Sequence, residues 1–289
     1  VGRNRAPASQ RRFLRMPLAA ARYHHALTQA MPLAGSRALR DGPTAVELTL
    51  EADFERDTAT PLLGLYQQPL ARLGELIDMS EAEIAGAVLD DYAARPAGVR
   101  RLGEVHHDYG RRAFNLGGQM GLNELGLLGR FDATDGRVLD EIDATSARLT
   151  ELEPGAERST VVTTAQEIGR QVARQRADGL DAADMLPLLS AWVLGRTVIR
   201  SANIAATESV RMTRWGMVWA FAGNGIRGVR HLCESNVLDR CGGAICPPLC
   251  GTEYELPGVF NPMGAIPGAA LIPLPPRCRC SYEPLTDGW

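Results

Sequence analysis

Apolar residues recur at spacings of three and four along most of the chain, the period of a helix with one buried face. From about Pro61 the residues Leu62, Leu65, Pro69, Leu73, Leu76 and Ile77 keep that spacing. Ser80, followed by Glu81 and Glu83, reads as a helix start with acids in its first turn. Ile84, Val88, Leu89 and Tyr92 then line one face as far as Arg95-Pro96, where proline turns the chain out of the helix. Val99–Leu128 is predicted helical next. Its glycines, Gly110, Gly117, Gly118, Gly121 and Gly126, weaken a free helix, so they imply close packing against neighbours. Asp132 to Glu153 is the next expected helix region, with Val138, Ile142 and Leu149 inward and Pro154-Gly155 as its stop. Ser159 or Thr160 caps the following one, whose Val161, Ala165, Ile168 and Val172 recur at four, three and four until Asp178-Gly179. Asp181, three residues before Asp184, predicts another cap. It opens a helical run from Met185 through Trp192 and from Thr197 to about Trp219.

The two ends depart from this period. Residues 44–60 alternate briefly and read as a strand or the entry to a helix. Residues 1–43 are broken by Pro7, Pro17, Pro32 and Pro43 and read as an irregular arm, with one helical piece near Leu18–Met31. After Gly223 the chain becomes rich in proline and glycine, with two or three small strands expected. The predicted fold is therefore mainly α: a basic arm over 1–43, a helical body over 44–222, and a small cysteine-rich α+β module over 223–289.

Composition sharpens this picture at three points. Apolar content of 45% over 289 residues is that of a globular chain. The most apolar segment, Trp215 to Ile226, falls short of the about 18 residues a membrane span requires and is broken by Gly223 and Gly225, so no membrane partner is expected. The basic start is not followed by an unbroken apolar core, so no secretory leader is expected either. Net charge is only −3, yet the arm holds Arg3, Arg5, Arg11, Arg12, Arg15, Arg22, Arg37 and Arg40 with no acid before residue 41. An acid-free arginine arm suits phosphate or an acidic partner. Every basic residue of the Lys+Arg total is arginine, the better residue for bidentate contacts.

The candidate chemistry lies in the thiols. All six cysteines fall between Cys233 and Cys280. A tetrahedral zinc site needs two ligand pairs brought together by a folded loop. Cys246 with Cys250, around Pro247-Pro248, makes one pair, and Cys278 with Cys280 the other. Cys233, Cys241 and His231 are alternates, and a disulfide cluster is the competing arrangement. The remaining histidines, His24-His25 and His106-His107, form no HExxH. Gly223-Asn-Gly-Ile-Arg-Gly has the letters of a dinucleotide loop but follows a helical segment and leads into Val229-Arg-His, so it carries no weight. Glu208, near Arg200, Arg211 and Arg214, reads as an ion-pair partner. No catalytic constellation is present, and no enzymatic activity is expected.

Two motifs remain to be accounted for. One is the run Arg-Thr-Val-Ile-Arg-Ser-Ala-Asn-Ile-Ala-Ala-Thr-Glu-Ser-Val-Arg over 196–211, preceded by the pair Val161–Val172 and Gly-Leu-x-x-x-Asp-Met-Leu at 179–186. The other is the end, where Cys246, Cys250 and Pro257-Gly258 lead to Pro-Pro-Arg-Cys-Arg-Cys at 275–280. With these features the segment from about Gly110 to Pro284 resembles the Mu F-like phage head morphogenesis family, the minor head or minor capsid proteins. That family ends in His-Pro-Asn-Cys-Arg-Cys and spaces its first cysteine pair C-x2-C. Here Pro275 stands at the histidine, the spacing is C-x3-C, and Cys233 and Cys241 are additional. The resemblance implies a structural protein inside the capsid near the portal, present in few copies and aiding head assembly and genome packaging or ejection. The implied partners are the portal or major capsid protein, with packaged DNA reached by the arm. The implied location is the virion, after passage through host cytoplasm during assembly. The rival reading is a nucleic-acid-binding regulator whose cysteines form a zinc ribbon, with Arg227, Arg230, Arg240, Arg277 and Arg279 supplying charge.

Overall fold

The computed structural model describes residues 44–134, 136–154, 156, 159–232, 251–256 and 280–286. The arginine-rich arm, including Arg3, Arg5, Arg11, Arg12 and Arg15, lies outside them, as do Cys233, Cys241, Cys246, Cys250 and Cys278. Within the described residues the chain is mainly helical, with a small three-stranded sheet. The helices longer than one turn are α1 (Ala45–Gln67), α2 (Glu81–Ala94), α3 (Ala97–Glu124), α4 (Gly136–Leu149), α5 (Thr160–Ala177) and α6 (Ala182–Gly223); the strands are β1 (Gly228–Leu232), β2 (Glu253–Glu255) and β3 (Ser281–Leu285).

Local chemistry sets the helix starts. Thr44 and Glu47 form a capping box for α1: the Thr44 N–H donates to Glu47 Oε2 at 2.9 Å and the Glu47 N–H to Thr44 Oγ1 at 3.2 Å. The alternation over 44–60 therefore belongs to a helix and not to a strand. Ser80 and Glu83 make the same box for α2. The Ser159 hydroxyl, and not Thr160, caps α5 by accepting from the Val161 and Val162 N–H groups. Asp181 Oδ1 accepts from Ala183 and Asp184, each at 2.9 Å, and starts α6.

Three boundaries differ from expectation. α3 ends at Glu124, short of Leu128, because Gly126 takes φ +67° and the Leu127 N–H turns back to the Leu122 carbonyl at 2.9 Å. α4 is confined to Gly136–Leu149. α6 is one helix where the pattern suggested two, since it continues straight through Val193–Arg196. By length and composition alone, α6 could also cross a membrane. The sequence reading counted only uncharged runs and passed over it. Between Ala182 and Ile199 only Met185, Leu189, Val193 and Thr197 of α6 are buried, and Met185, Leu189 and Val193 join a protein core.

The chain divides into two compact units, and α1, α3 and α6 contribute residues to both. One unit comprises Thr49–Arg111 and Thr134–Ser209. Its core joins Leu62, Leu65 and Tyr66 to Ile84, Val88 and Tyr92 and to Val161, Ala165, Ile168 and Val172. These are the predicted faces of the helices meeting one another. The other unit comprises, among the described residues, 44–48, Arg112–Ala133, 210–232, 251–256 and 280–286. Its described core packs Val210, Met217, Val218 and Phe221 of α6 against Val229, Leu256, Cys280 and Tyr282 of the sheet region.

Glycines mark where backbones touch. A Cβ on Gly117 or Gly216 would overlap the carbonyl oxygens of Thr213 and Phe114 respectively, so α3 and the end of α6 cross with no room for a side chain. Gly118 faces the Phe131 ring, and Gly121 faces Met217 and Ala220. The close packing inferred from glycine density thus holds at Gly117, Gly118 and Gly121. In the other unit, a Cβ on Gly169 would lie 2.6 Å from the Glu81 carbonyl oxygen, whereas one on Gly86 meets nothing within 4 Å. Gly169→Ala should accordingly destabilise the protein by about 1–3 kcal/mol through overpacking. Gly86→Ala should stabilise it by about 0.5–1 kcal/mol through helix propensity. Urea unfolding midpoints of the two variants check the opposite signs.

Candidate metal centre at the C-terminal sheet

The sheet has the order β2-β1-β3, with β1 antiparallel to both neighbours. Its register is legible in charge. Arg230 pairs directly with Glu253 on one side and Glu283 on the other, at 2.7 Å and 3.1 Å. Such cross-strand ion pairs favour one alignment over its neighbours. They also match the Arg230 charge with two carboxylates, one of the cations that a nucleic-acid surface would have used.

The opposite face of β1 carries Val229 and His231. His231 sits directly across from Tyr282, with ring centroids 5.7 Å apart. Cys280 precedes Tyr282 by two residues and is 1% exposed, so it belongs to the same face by strand alternation. On the β2 side the His231 N–H donates to the Thr252 carbonyl at 2.9 Å and the Gly251 N–H to the His231 carbonyl at 2.8 Å. The His231 backbone is thus fully paired, but its side chain is not. The residue is 0% exposed, and neither Nδ1 nor Nε2 has a hydrogen-bond partner among the described residues. Burial pushes its imidazole below the ordinary value and keeps it neutral. Tyr254, across from Val229 on this face, likewise has a buried hydroxyl with no hydrogen-bond partner among the described residues.

Of the cysteines singled out in the sequence, the structure therefore places only Cys280, together with the alternate His231. No group of three or more His, Cys, Asp or Glu side chains forms a metal cluster among the described residues. Cys280 is further held by Arg214, whose Nε donates to the Cys280 carbonyl at 3.3 Å. Arg214 is itself buried and forms an ion pair with the equally buried Glu47 at 3.0 Å. Among the described residues, His106 meets the Phe54 ring edge-on at 5.3 Å, and His107 pairs with Asp143 at 3.0 Å; His24 and His25 lie outside them.

A second polar cluster escaped the sequence reading. Glu167 of α5, buried in the helical unit, accepts from the Tyr66 hydroxyl, from Arg196 through both carboxylate oxygens, and from Arg200 at 3.2 Å. Arg200 also donates to Thr164 Oγ1 at 2.9 Å. Arg200 thus turns to Glu167 and Arg214 to Glu47. The available signal was an acid set three residues after Thr164 beside the apolar stripe of α5. Burial alone would push the Glu167 carboxyl up, but its bonds to Arg196 and Tyr66 and the Arg200 charge outweigh burial and hold it below the usual range. Burial pushes the Tyr66 phenol up to about 12, so its stabilising share is complete below its ordinary value and lost as pH rises from there through about 12.

A comparison with protein-family models, curated proteins and solved structures finds no match to this chain.

Two outcomes test these clusters. The stability contributed by Glu167 is complete above the ordinary carboxylate range and is lost as pH falls through its lowered native value. Glu167→Gln should cost about 3–5 kcal/mol at neutral pH by leaving buried cations uncompensated. It should also flatten the acid limb of the unfolding free energy measured in urea from pH 7 downward. Arg214→Met should cost a similar about 3–5 kcal/mol and loosen both the start of α1 and β3, seen as faster amide hydrogen exchange in those two segments.

Proposed function

We propose that the chain is a structural, non-enzymatic protein of a tailed-bacteriophage head, acting inside the capsid near the portal in head assembly and genome packaging or ejection. The observation that carries the assembly part of this reading is the outer face of α6. Leu186, Leu188, Leu194, Val198 and Ile199 are 44–62% exposed. Between Asp184 and Arg200 the only charged residue is Arg196, and it is directed to Glu167. A contiguous apolar, charge-poor face of this kind is a mark of proteins that act by docking. The partner it suits in this reading is a portal or major capsid subunit.

The phage-head part rests on the motif resemblance, and the packing of the resembling segments supports it. The helix that carries the Thr-Glu motif continues to Arg214, which bonds the carbonyl of Cys280, the last residue of Cys-Arg-Cys. Val210 of that motif shares a core cluster with Cys280 and Tyr282. The arginine arm, with Arg3, Arg5, Arg11, Arg12 and Arg15, would contact packaged DNA through its phosphates, independent of base sequence. Zinc held by thiols among Cys246, Cys250, Cys278 and Cys280 would lock the C-terminal loops, which have too few apolar residues to form a core of their own. The buried Cys280, on the same face as a buried imidazole with no hydrogen-bond partner among the described residues, fits such an ion.

Quantitative mass spectrometry of purified particles of the encoding phage tests the reading. The chain should be present at a small, fixed copy number. The double variant Leu194→Asp, Val198→Asp should keep its unfolding free energy within about 0.5 kcal/mol, as surface substitutions do, yet be missing from particles. Absence of the wild-type chain from particles, or incorporation of the double variant at the wild-type level, would overturn the proposal.

A further inference from the structure

We infer that His231 is a ligand of the C-terminal zinc ion and that His231 and Cys280 bind it together from the paired strands β1 and β3. The inference rests on the reading of the C-terminal end as a zinc clasp, and it moves one ligand position from the thiols to an imidazole of the sheet.

Three observations support it. First, a side chain with two polar nitrogens is 0% exposed and has no hydrogen-bond partner at either nitrogen among the described residues. A polar group buried in this way is costly unless something binds it. Second, register places the thiol. His231 is across from Tyr282, so Cys280 is its diagonal neighbour on the same face, at the about 7–8 Å typical of such pairs. Zinc bonds of about 2.0–2.1 Å to nitrogen and about 2.3 Å to sulfur can span that separation. Third, the Cys280 backbone is fixed from behind by Arg214 and the His231 backbone by its bonds to Gly251 and Thr252, so neither donor must be ordered on binding. The donor chemistry, a soft thiolate with a neutral imidazole, selects zinc over hard cations such as magnesium or calcium. On binding, the Cys280 sulfhydryl releases its proton to solvent. His231 donates a ring lone pair and keeps the proton on its other nitrogen.

The experiment uses the full chain purified without chelator. Zinc content is measured by elemental analysis, and the ion is then exchanged for cobalt(II), whose thiolate charge-transfer and d–d absorption report the ligand set. The wild-type chain should hold equimolar zinc and give a tetrahedral mixed sulfur and nitrogen spectrum. His231→Ala should weaken binding by more than the about 10–100-fold that loss of an outer-shell partner costs. Because that variant can also unfold, His231→Cys is the decisive one: it should retain equimolar metal and gain the charge-transfer intensity of an additional sulfur. A metal-free wild-type chain with oxidised thiols would overturn the clasp and the inference together. Equimolar zinc with a cobalt spectrum unchanged in His231→Cys would overturn the inference alone.

Discussion

A buried guanidinium organises the unit that contains the C-terminal sheet. Arg214 reaches Glu47 in the first turn of α1 and the carbonyl of Cys280 at the entrance to β3. Three segments remote in sequence are thus joined at one side chain. Neither charge of the pair could remain in this interior without the other, because the desolvation cost of a lone buried ion exceeds anything the surrounding contacts supply. Glu47 is in turn held by the capping box with Thr44, so the start of α1 and the position of β3 depend on the same ion pair. The helical unit repeats the device with Glu167, which gathers Tyr66, Arg196 and Arg200 within a core that is otherwise aliphatic and aromatic.

What could be read from the sequence follows the range of the interactions. Helices whose starts are set by local caps were legible, as at Ser80 with Glu83, at Ser159 and at Asp181. The Thr44 and Glu47 box was equally local. It was overlooked because the residues after it alternate, and a capping pair is stronger evidence than a few alternating positions. The stretch between Trp192 and Thr197, skipped by the expected helical run, belongs to α6, and the partner of its Arg196, Glu167, lies 29 positions earlier. Tyr66 lies 101 positions from the same carboxylate, a distance no periodicity reports. At the sheet, the sequence offered His231 only as a spare ligand, and nothing in its spacing showed that the imidazole is buried with no hydrogen-bond partner among the described residues. That observation required the strand register.

The two long-range clusters and the close glycine contacts share a mechanical character. Gly117 and Gly216 bring α3 and the end of α6 to backbone contact. Gly169 does the same for α2 and α5. Where backbones touch, helices cannot slide without collision, and where a buried charge is shared, they cannot separate without stranding an ion. The outer face of α6, with Leu186, Leu188, Leu194, Val198 and Ile199, has neither restraint.

The Arg230 trio on the sheet's outer face has a consequence beyond its small energy. Exposed ion pairs add little to stability, yet a shift of β3 by a single residue would turn Tyr282 and Cys280 away from His231. The salt bridges to Glu253 and Glu283 therefore work as an alignment key. Reversing one of those charges would remove little pairing energy by itself but would weaken the preference for the register that keeps Cys280 and Tyr282 in the core, so substitutions at these exposed positions should be tolerated best in compensating sets.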